Sequence, residues 1–281
     1  MKTLLSIVLV LSLSACPKRD KQEQRVGGAL PVLSEIKVND LSRRDERVPG
    51  ITEETVRGWA RLRLQASKSV RLVEKAGPGV YRLRVDYGVG ESDGEQAVAV
   101  EARAASPDLE RVSLQAAVKG PLKERSPAAV KKAVDTVIGD IVFQADLAVC
   151  SPEKLAGILA TEKDAKRLAA AVGIAGVRHV REAVPALIKL LKHKSQEVAD
   201  PAIGALVAIG DRRAVRPLTR LTKFSDTAKM AKLIDGIGSL GGREALEYLE
   251  FVASGHEDAD IRNMATEALE RLKRREKTKP K

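Results

Sequence analysis

Few side chains in this 281-residue chain are of a type that does covalent chemistry or holds a metal ion. There are two cysteines, Cys16 and Cys150, and three histidines, His179, His193 and His256. No histidine stands at a zinc-site spacing from Cys or a carboxylate, and each falls where an inter-helix turn or a helix end is expected. His256 runs into Glu257, Asp258 and Asp260, a cluster that could take up a divalent ion but reads first as a solvated turn. No metal site and no cofactor is therefore assigned. Gly88-Val89-Gly90, with Gly94 beyond it, has the glycines of a phosphate-binding turn, but no helix starts after it as such a turn requires. No nucleophile elbow is present, so no catalytic residue is assigned and the chain reads as a non-enzyme. What remains is cationic. Arg213, Arg216, Arg220 and Lys223 share helical spacing, and Lys189 and Lys192 precede Arg220 and Lys223 by 31 residues.

The two cysteines separate on context. Lys2 is the only charge in the first fifteen residues, and an apolar run from Leu4 to Leu13 follows, broken only by Ser6 and Ser12. That run is too short for a bilayer, which needs about 20 apolar residues, and with its basic start and small-residue end it reads as a secretory signal peptide. Its ending, Leu13-Ser14-Ala15-Cys16, resembles the lipobox of bacterial lipoproteins. The resemblance implies cleavage between Ala15 and Cys16, a diacylglyceryl group on the Cys16 thiol and an acyl chain such as palmitate on the new amino group. Two or more chains give stable anchoring, each buried CH₂ contributing ~0.8 kcal/mol. Pro17, where an aspartate would favour inner-membrane retention, points to an outer membrane facing the periplasm if the source has two membranes. Cys150 is then left without a partner, so no intramolecular disulfide forms, and its apolar approach Leu147-Ala148-Val149 reads as a buried small hydrophobe.

The elements that position these residues follow from periodicity. Residues 16–50 mix charges with Gly27-Gly28, Pro31 and Pro49 and read as a flexible tether. Over 51–150 the pattern is α+β. Thr52 caps a helix with a stripe of Val56, Trp59, Ala60 and Leu64, and strands are expected at Val70–Leu72, Tyr81–Tyr87, Val98–Ala102 and Val112–Val118. Ser126 and Pro127 open a long helix whose apolar face carries Val130, Val134, Val137, Ile138, Ile141 and Ala145. The expectation is a four-stranded antiparallel sheet with one wet face and two helices on the other.

From 151 the sequence repeats. Ala183-Val184-Pro185-Ala186-Leu187 matches Ala214-Val215-Arg216-Pro217-Leu218 and Ala245-Leu246-Glu247-Tyr248-Leu249, and Ile209-Gly210 returns as Leu240-Gly241, all at offsets of 31. Each unit reads as an apolar helix, a polar turn and a second apolar helix, and such units bury a core only by stacking. These repeats resemble bacterial HEAT-like repeats, in about four hairpins over 151–272, followed by a basic tail at 273–281. The resemblance implies an all-α solenoid that serves as a scaffold for protein partners. Some HEAT-repeat proteins are bilin lyases, which keeps a lyase-type enzyme as a remote alternative.

Charge narrows the partners. The formal +11 falls to +2 over residues 51–270, because the signal, the tether and the stretch from Arg271 hold the rest. Aromatics are 2% of the chain, so the stacking faces that single-stranded nucleic acid needs are missing, and nucleic acid is not expected. Nor is a small-molecule substrate. Within the repeats, residues 177–232 hold twelve bases and five acids, and 233–270 hold two and nine. The expected role is a lipid-anchored extracytoplasmic scaffold that binds other envelope proteins through Lys189, Lys192, Arg213, Arg216, Arg220 and Lys223. The alternative is an accessory factor that acts on a cell-wall or envelope enzyme through its α+β domain.

Overall fold

The computed structural model describes residues 31–67, 69–73, 80–92, 95–105, 113–122, 126–221 and 226–278. An α+β unit comes first and an all-α solenoid follows. The sheet differs from the expected one. It has five strands in the order β2-β1-β3-β4-β5, where β1 is Val32–Asp40, β2 Arg71–Val73, β3 Val80–Ser92, β4 Glu95–Ala105 and β5 Leu114–Pro121. β1 comes from the stretch read as tether, and it pairs in parallel with both β2 and β3, so the sheet is mixed. The strand escapes the sequence periodicity because of a register shift between Ser34 and Ile36. Leu33 faces the core before the shift, and Ile36 and Val38 face it after. A bulge changes which alternate residues point inward, so the two-residue period that marks a strand is broken in the sequence.

Helix α1 (Glu53–Ala66) makes the crossover from β1 to β2, a connection that parallel strands require. It starts at a capping box in which the Thr52 hydroxyl accepts the Thr55 amide and the Thr55 hydroxyl accepts the Thr52 amide. Helix α2 (Pro127–Val149) starts at the Ser126 cap. Both helices pack on the same face of the sheet, where Val56, Ala60, Leu64, Val134 and Ile138 join Leu83, Val85, Val100 and Ala102 in one core. On the other face Lys37, Arg84 and Arg103 stand in register across three strands, beside a row of Asn39, Asp86 and Glu101. Like charges facing each other would repel, but Arg84 pairs along its own strand with Asp86 at 2.9 Å and Arg103 with Glu101 at 2.6 Å. Gly88 and Gly90 make room for the segment after β1. A Cβ at Gly88 would lie 3.6 Å from Leu41 Cβ, and one at Gly90 3.3 Å from Glu46 Oε2.

Four helical hairpins follow: α3 (Pro152–Thr161) with α4 (Ala165–Val177), α5 (Val184–Leu190) with α6 (Gln196–Ile209), α7 (Val215–Thr219) with α8 (Thr227–Leu240), and α9 (Arg243–Gly255) with α10 (Ala259–Lys277). Successive second helices approach closely, and one small residue sits at each contact. A Cβ on Gly176 of α4 would lie 2.9 Å from Ala205 Cα of α6, and one on Gly236 of α8 would lie 2.8 Å from Val207 of α6. Gly238 meets Ala268 of α10 in the same way. Gly176, Val207 and Gly238 recur at 31-residue steps. α10 continues to Lys277, so residues 273–277, expected in a tail, belong to the last repeat.

No linker separates the two units. Cys150 ends α2 and Ser151 caps α3. Leu147 of α2 is wholly buried in the solenoid core, while Ala145 and Ile141 lie in the sheet core.

Replacing Gly176 by Val forces a branched side chain against the backbone of α6, and overpacking of this kind costs about 1–3 kcal/mol. Gly204→Ala on α6, whose Cβ meets nothing within 4 Å, stabilises by about 0.5–1 kcal/mol because alanine gains helix propensity over glycine. Urea denaturation of the two variants checks the contrast.

Candidate functional site

Of the described cationic residues singled out by spacing, Lys189 lies on α5 and Arg216 on α7, Lys192 and Arg220 just past those helices, and Arg213 in the turn before α7. A 3₁₀ turn, Arg181–Ala183 or Arg212–Ala214, leads into each of those helices. Val184 and Leu187 of α5 and Val215 and Leu218 of α7 are buried in the solenoid core, and that burial turns the remaining side chains outward. Lys189, Lys192, Arg216 and Arg220 are all exposed. None of the four enters an ion pair with another described residue. Lys189 and Arg220 occupy equivalent repeat positions, so the two units present like charges on one side of the stack. The next unit changes sign: Glu244, Glu247 and Glu250 are exposed on α9. Glu247 pairs with Arg243 at 3.2 Å and Glu250 with Lys273 at 2.8 Å.

Arg213 does not belong with the free cations. Its guanidinium holds Asp211 at 2.8 and 3.0 Å and donates to the Arg181 carbonyl of the preceding unit at 3.3 Å. Asp211 in turn caps the 3₁₀ turn before α7. The Arg213 guanidinium holds the Asp211 carboxyl below its ordinary value of 3.8. Arg213 is thus a clip between two repeats. Lys223, Ala15 and Cys16 lie outside the described residues.

Cations of the last helix and of the first hairpin are engaged as well. Arg271 pairs with Asp235 of α8 at 2.8 Å. Arg275 donates to the Ser239 and Gly238 carbonyls at 2.8 and 3.0 Å, at the carboxyl end of α8. Glu276 accepts the Gly242 amide at 3.3 Å. The last carbonyls of a helix have no partner within it, and a cation there also meets the negative end of the helix dipole. Arg178 does the same for α2, donating to Leu147 O at 2.6 Å and Cys150 O at 2.7 Å.

Cys150 is buried, and its thiol lies 3.5 Å from Leu147 O. Arg178 lies 3.8 Å from its sulfur, a neighbour invisible from local sequence. Burial pushes the thiol up, and Arg178 offsets that only in part. The histidines organise turns. His193 Nδ1 accepts the Ser195 amide at 3.1 Å and His256 Nδ1 accepts the Asp258 amide at 3.0 Å. His179 has φ of 52° at the repeat position where Gly210 has 73° and Gly241 has 71°. Its Nδ1–H donates to Ala208 O at 2.7 Å, a bond that offsets the strain of a left-handed residue with a Cβ. The 31-residue alignment points to His179 as the residue holding this turn. The Asp258 carboxylate caps α10 through Asp260 N and Ile261 N. Among the described residues no group of three His, Cys, Asp or Glu side chains could hold a metal ion, and no helix is long and apolar enough to cross a membrane.

The family model for HEAT repeats matches residues 152–231, which span α3 to the start of α8. No curated protein matches the chain.

Two outcomes follow from these contacts. The Cys150 thiol in the folded protein reacts with iodoacetamide at least tenfold more slowly than in urea, since only the accessible thiolate reacts; mass spectrometry reads the difference. Arg213→Ala lowers stability near pH 6. Asp211 has its folded value depressed, so its contribution is present above the unfolded value and is lost as pH falls through the folded one. The gap between variant and parent therefore narrows as pH falls below the ordinary value of 3.8 and through the lower folded one, measured by urea melts across pH.

Proposed function

We propose that the chain is a non-catalytic, lipid-anchored scaffold of the extracytoplasmic envelope that binds an acidic partner protein along α5 and α7. A HEAT-repeat solenoid is consistent with a protein-interaction scaffold. The observation that carries the reading is the set Lys189, Lys192, Arg216 and Arg220, exposed and outside the ion pairs formed by the described residues. Elsewhere in the solenoid Arg178, Arg213, Arg271 and Arg275 are consumed by carbonyls and carboxylates of the fold. Long-range attraction to an acidic surface speeds encounter and falls with ionic strength. The anchor rests on Leu13-Ser14-Ala15-Cys16, and outer-membrane placement on Pro17.

A second reading, an accessory factor for an envelope enzyme working through the α+β unit, draws on the polar open face of the sheet with Lys37, Arg84 and Arg103 in register. One experiment separates them. Photo-crosslinkers placed beside the cations capture a partner in cells. The variant Lys189→Glu, Lys192→Glu, Arg216→Glu, Arg220→Glu loses at least tenfold of that capture, and the parent's capture weakens with added salt. An unchanged crosslinking profile sinks the α5/α7 reading and leaves the sheet face. Cys16→Ser abolishes incorporation of labelled palmitate; retained label overturns the anchor.

A further inference from the structure

Among the described residues β5 is an edge strand, paired only with β4. At one end its free edge is already occupied. The Gln144 side chain of α2, 7% exposed, accepts the Gln115 amide on Oε1 at 3.1 Å and donates from Nε2 to the Gln115 carbonyl at 2.8 Å. A primary amide used in this way copies the peptide group of a neighbouring strand. It also shows which way the backbone faces: the Gln115 N–H and C=O point away from β4. In an antiparallel pair this direction repeats every second residue, so Ala117 and Lys119 turn their N–H and C=O groups outward too. The alternate set faces β4, and the Leu122 amide continues that set by donating to Gln96 O at 2.7 Å. No described residue pairs with the Ala117 or Lys119 backbone beyond β5.

The free stretch opens on a cleft of about 180 Å³ between β5, α2 and α4, lined by Ala117, Asp140, Phe143, Lys166 and Arg167 among others. Small side chains at Ala116 and Ala117 leave room for another backbone at the 4.7–4.9 Å strand spacing. The charge around it is positive. Lys119 and Lys166 are exposed and form no ion pair with a described residue. Arg167 pairs with Asp140 at 2.9 Å and lies over the Phe143 ring at 5.3 Å, which cancels the one carboxylate lining the cleft.

We infer that an extended, acidic segment of a partner protein docks here as a sixth strand, bonding to Ala117 and Lys119 in line with the Gln144 amide. Addition to an exposed sheet edge draws affinity from main-chain bonds and specificity from flanking side chains. Lys119 on the open face and Lys166 beside the cleft select carboxylates. The segment touches both folded units, and the site is independent of the α5/α7 surface.

The test uses the full chain and two probes, acetyl-Glu-Val-Glu-Val-Glu-Val-amide and its counterpart with Lys in place of Glu. The acidic peptide slows amide hydrogen exchange at Ala117 and Lys119 at least tenfold, and the basic peptide does not. Ala117→Pro removes the outward N–H without touching a bond to β4, and it weakens acidic-peptide binding at least tenfold. Lys119→Glu with Lys166→Glu, both on exposed side chains, reverses the preference toward the basic peptide and keeps the result readable if the proline variant fails to fold. The inference is overturned if the acidic peptide leaves both amides unprotected, or if the charge-swapped variant keeps the original preference. It is also overturned if the two amides are protected without peptide. Protection that grows with protein concentration assigns the edge to a second copy, and concentration-independent protection assigns it to another segment of this chain.

Discussion

Helix α2 has to be apolar toward two different partners, and the arrangement of the chain depends on that. Its first turns and middle bury Val130, Val134, Val137, Ile138 and Ile141 against the sheet, and its last turn delivers Leu147 to the solenoid. The handover is sealed by polar contacts at the helix end. Arg178 satisfies the Leu147 and Cys150 carbonyls, and Lys154 of α3 pairs with Asp146 of α2 at 2.7 Å. A buried carbonyl without a partner costs about 1–3 kcal/mol, so the Arg178 contact holds the α+β unit and the first repeat together as well as capping a helix. With Cys150 and Ser151 alone between α2 and α3, the two units have no flexible joint between them.

The solenoid repeats two physical solutions. One is a small residue wherever successive second helices meet, which lets backbones come close enough to pack without voids. The other is a basic side chain from later in the chain laid on the carbonyl end of an earlier helix, as Arg275 does for α8 and Arg178 for α2. This second device changes the meaning of the charge. Arg178, Arg213, Arg271 and Arg275 go into holding the stack. Lys189, Lys192, Arg216 and Arg220 stay outside the ion pairs of the described residues along α5 and α7, and Lys166 does so beside β5.

These two places give the molecule two surfaces of different chemistry. The α5/α7 side offers long, mobile cations in water, suited to steering and to salt-sensitive contact. The cleft at β5 offers fixed backbone donors and acceptors, suited to an extended segment. Neither needs a bound ion or a reactive side chain. Cys150 lies under Arg178, His193 and His256 accept turn amides, and Gly88 and Gly90 form the floor for the segment that follows β1.

Much of this was legible in the amino-acid order. Repeats at 31 residues, helix caps at Thr52 and Ser126, and the alternation of β3 to β5 are local patterns, set by short-range sterics and by which side of an element is apolar. Those patterns determined an α+β unit followed by a helical solenoid, and they marked Lys189, Lys192, Arg213, Arg216, Arg220 and Lys223 as one group. Lys223 and the lipobox residues rest on sequence alone. Only the tertiary structure decided that β1 joins the sheet in parallel, because its bulge erases the two-residue period. It likewise decided that Arg213, Arg271 and Arg275 are structural, that Arg178 reaches Cys150, and that Gln144 finishes a sheet edge. Each of these joins residues distant in sequence. The length of an arginine or glutamine side chain says what it can reach, while the packing of the backbone says what is there to be reached.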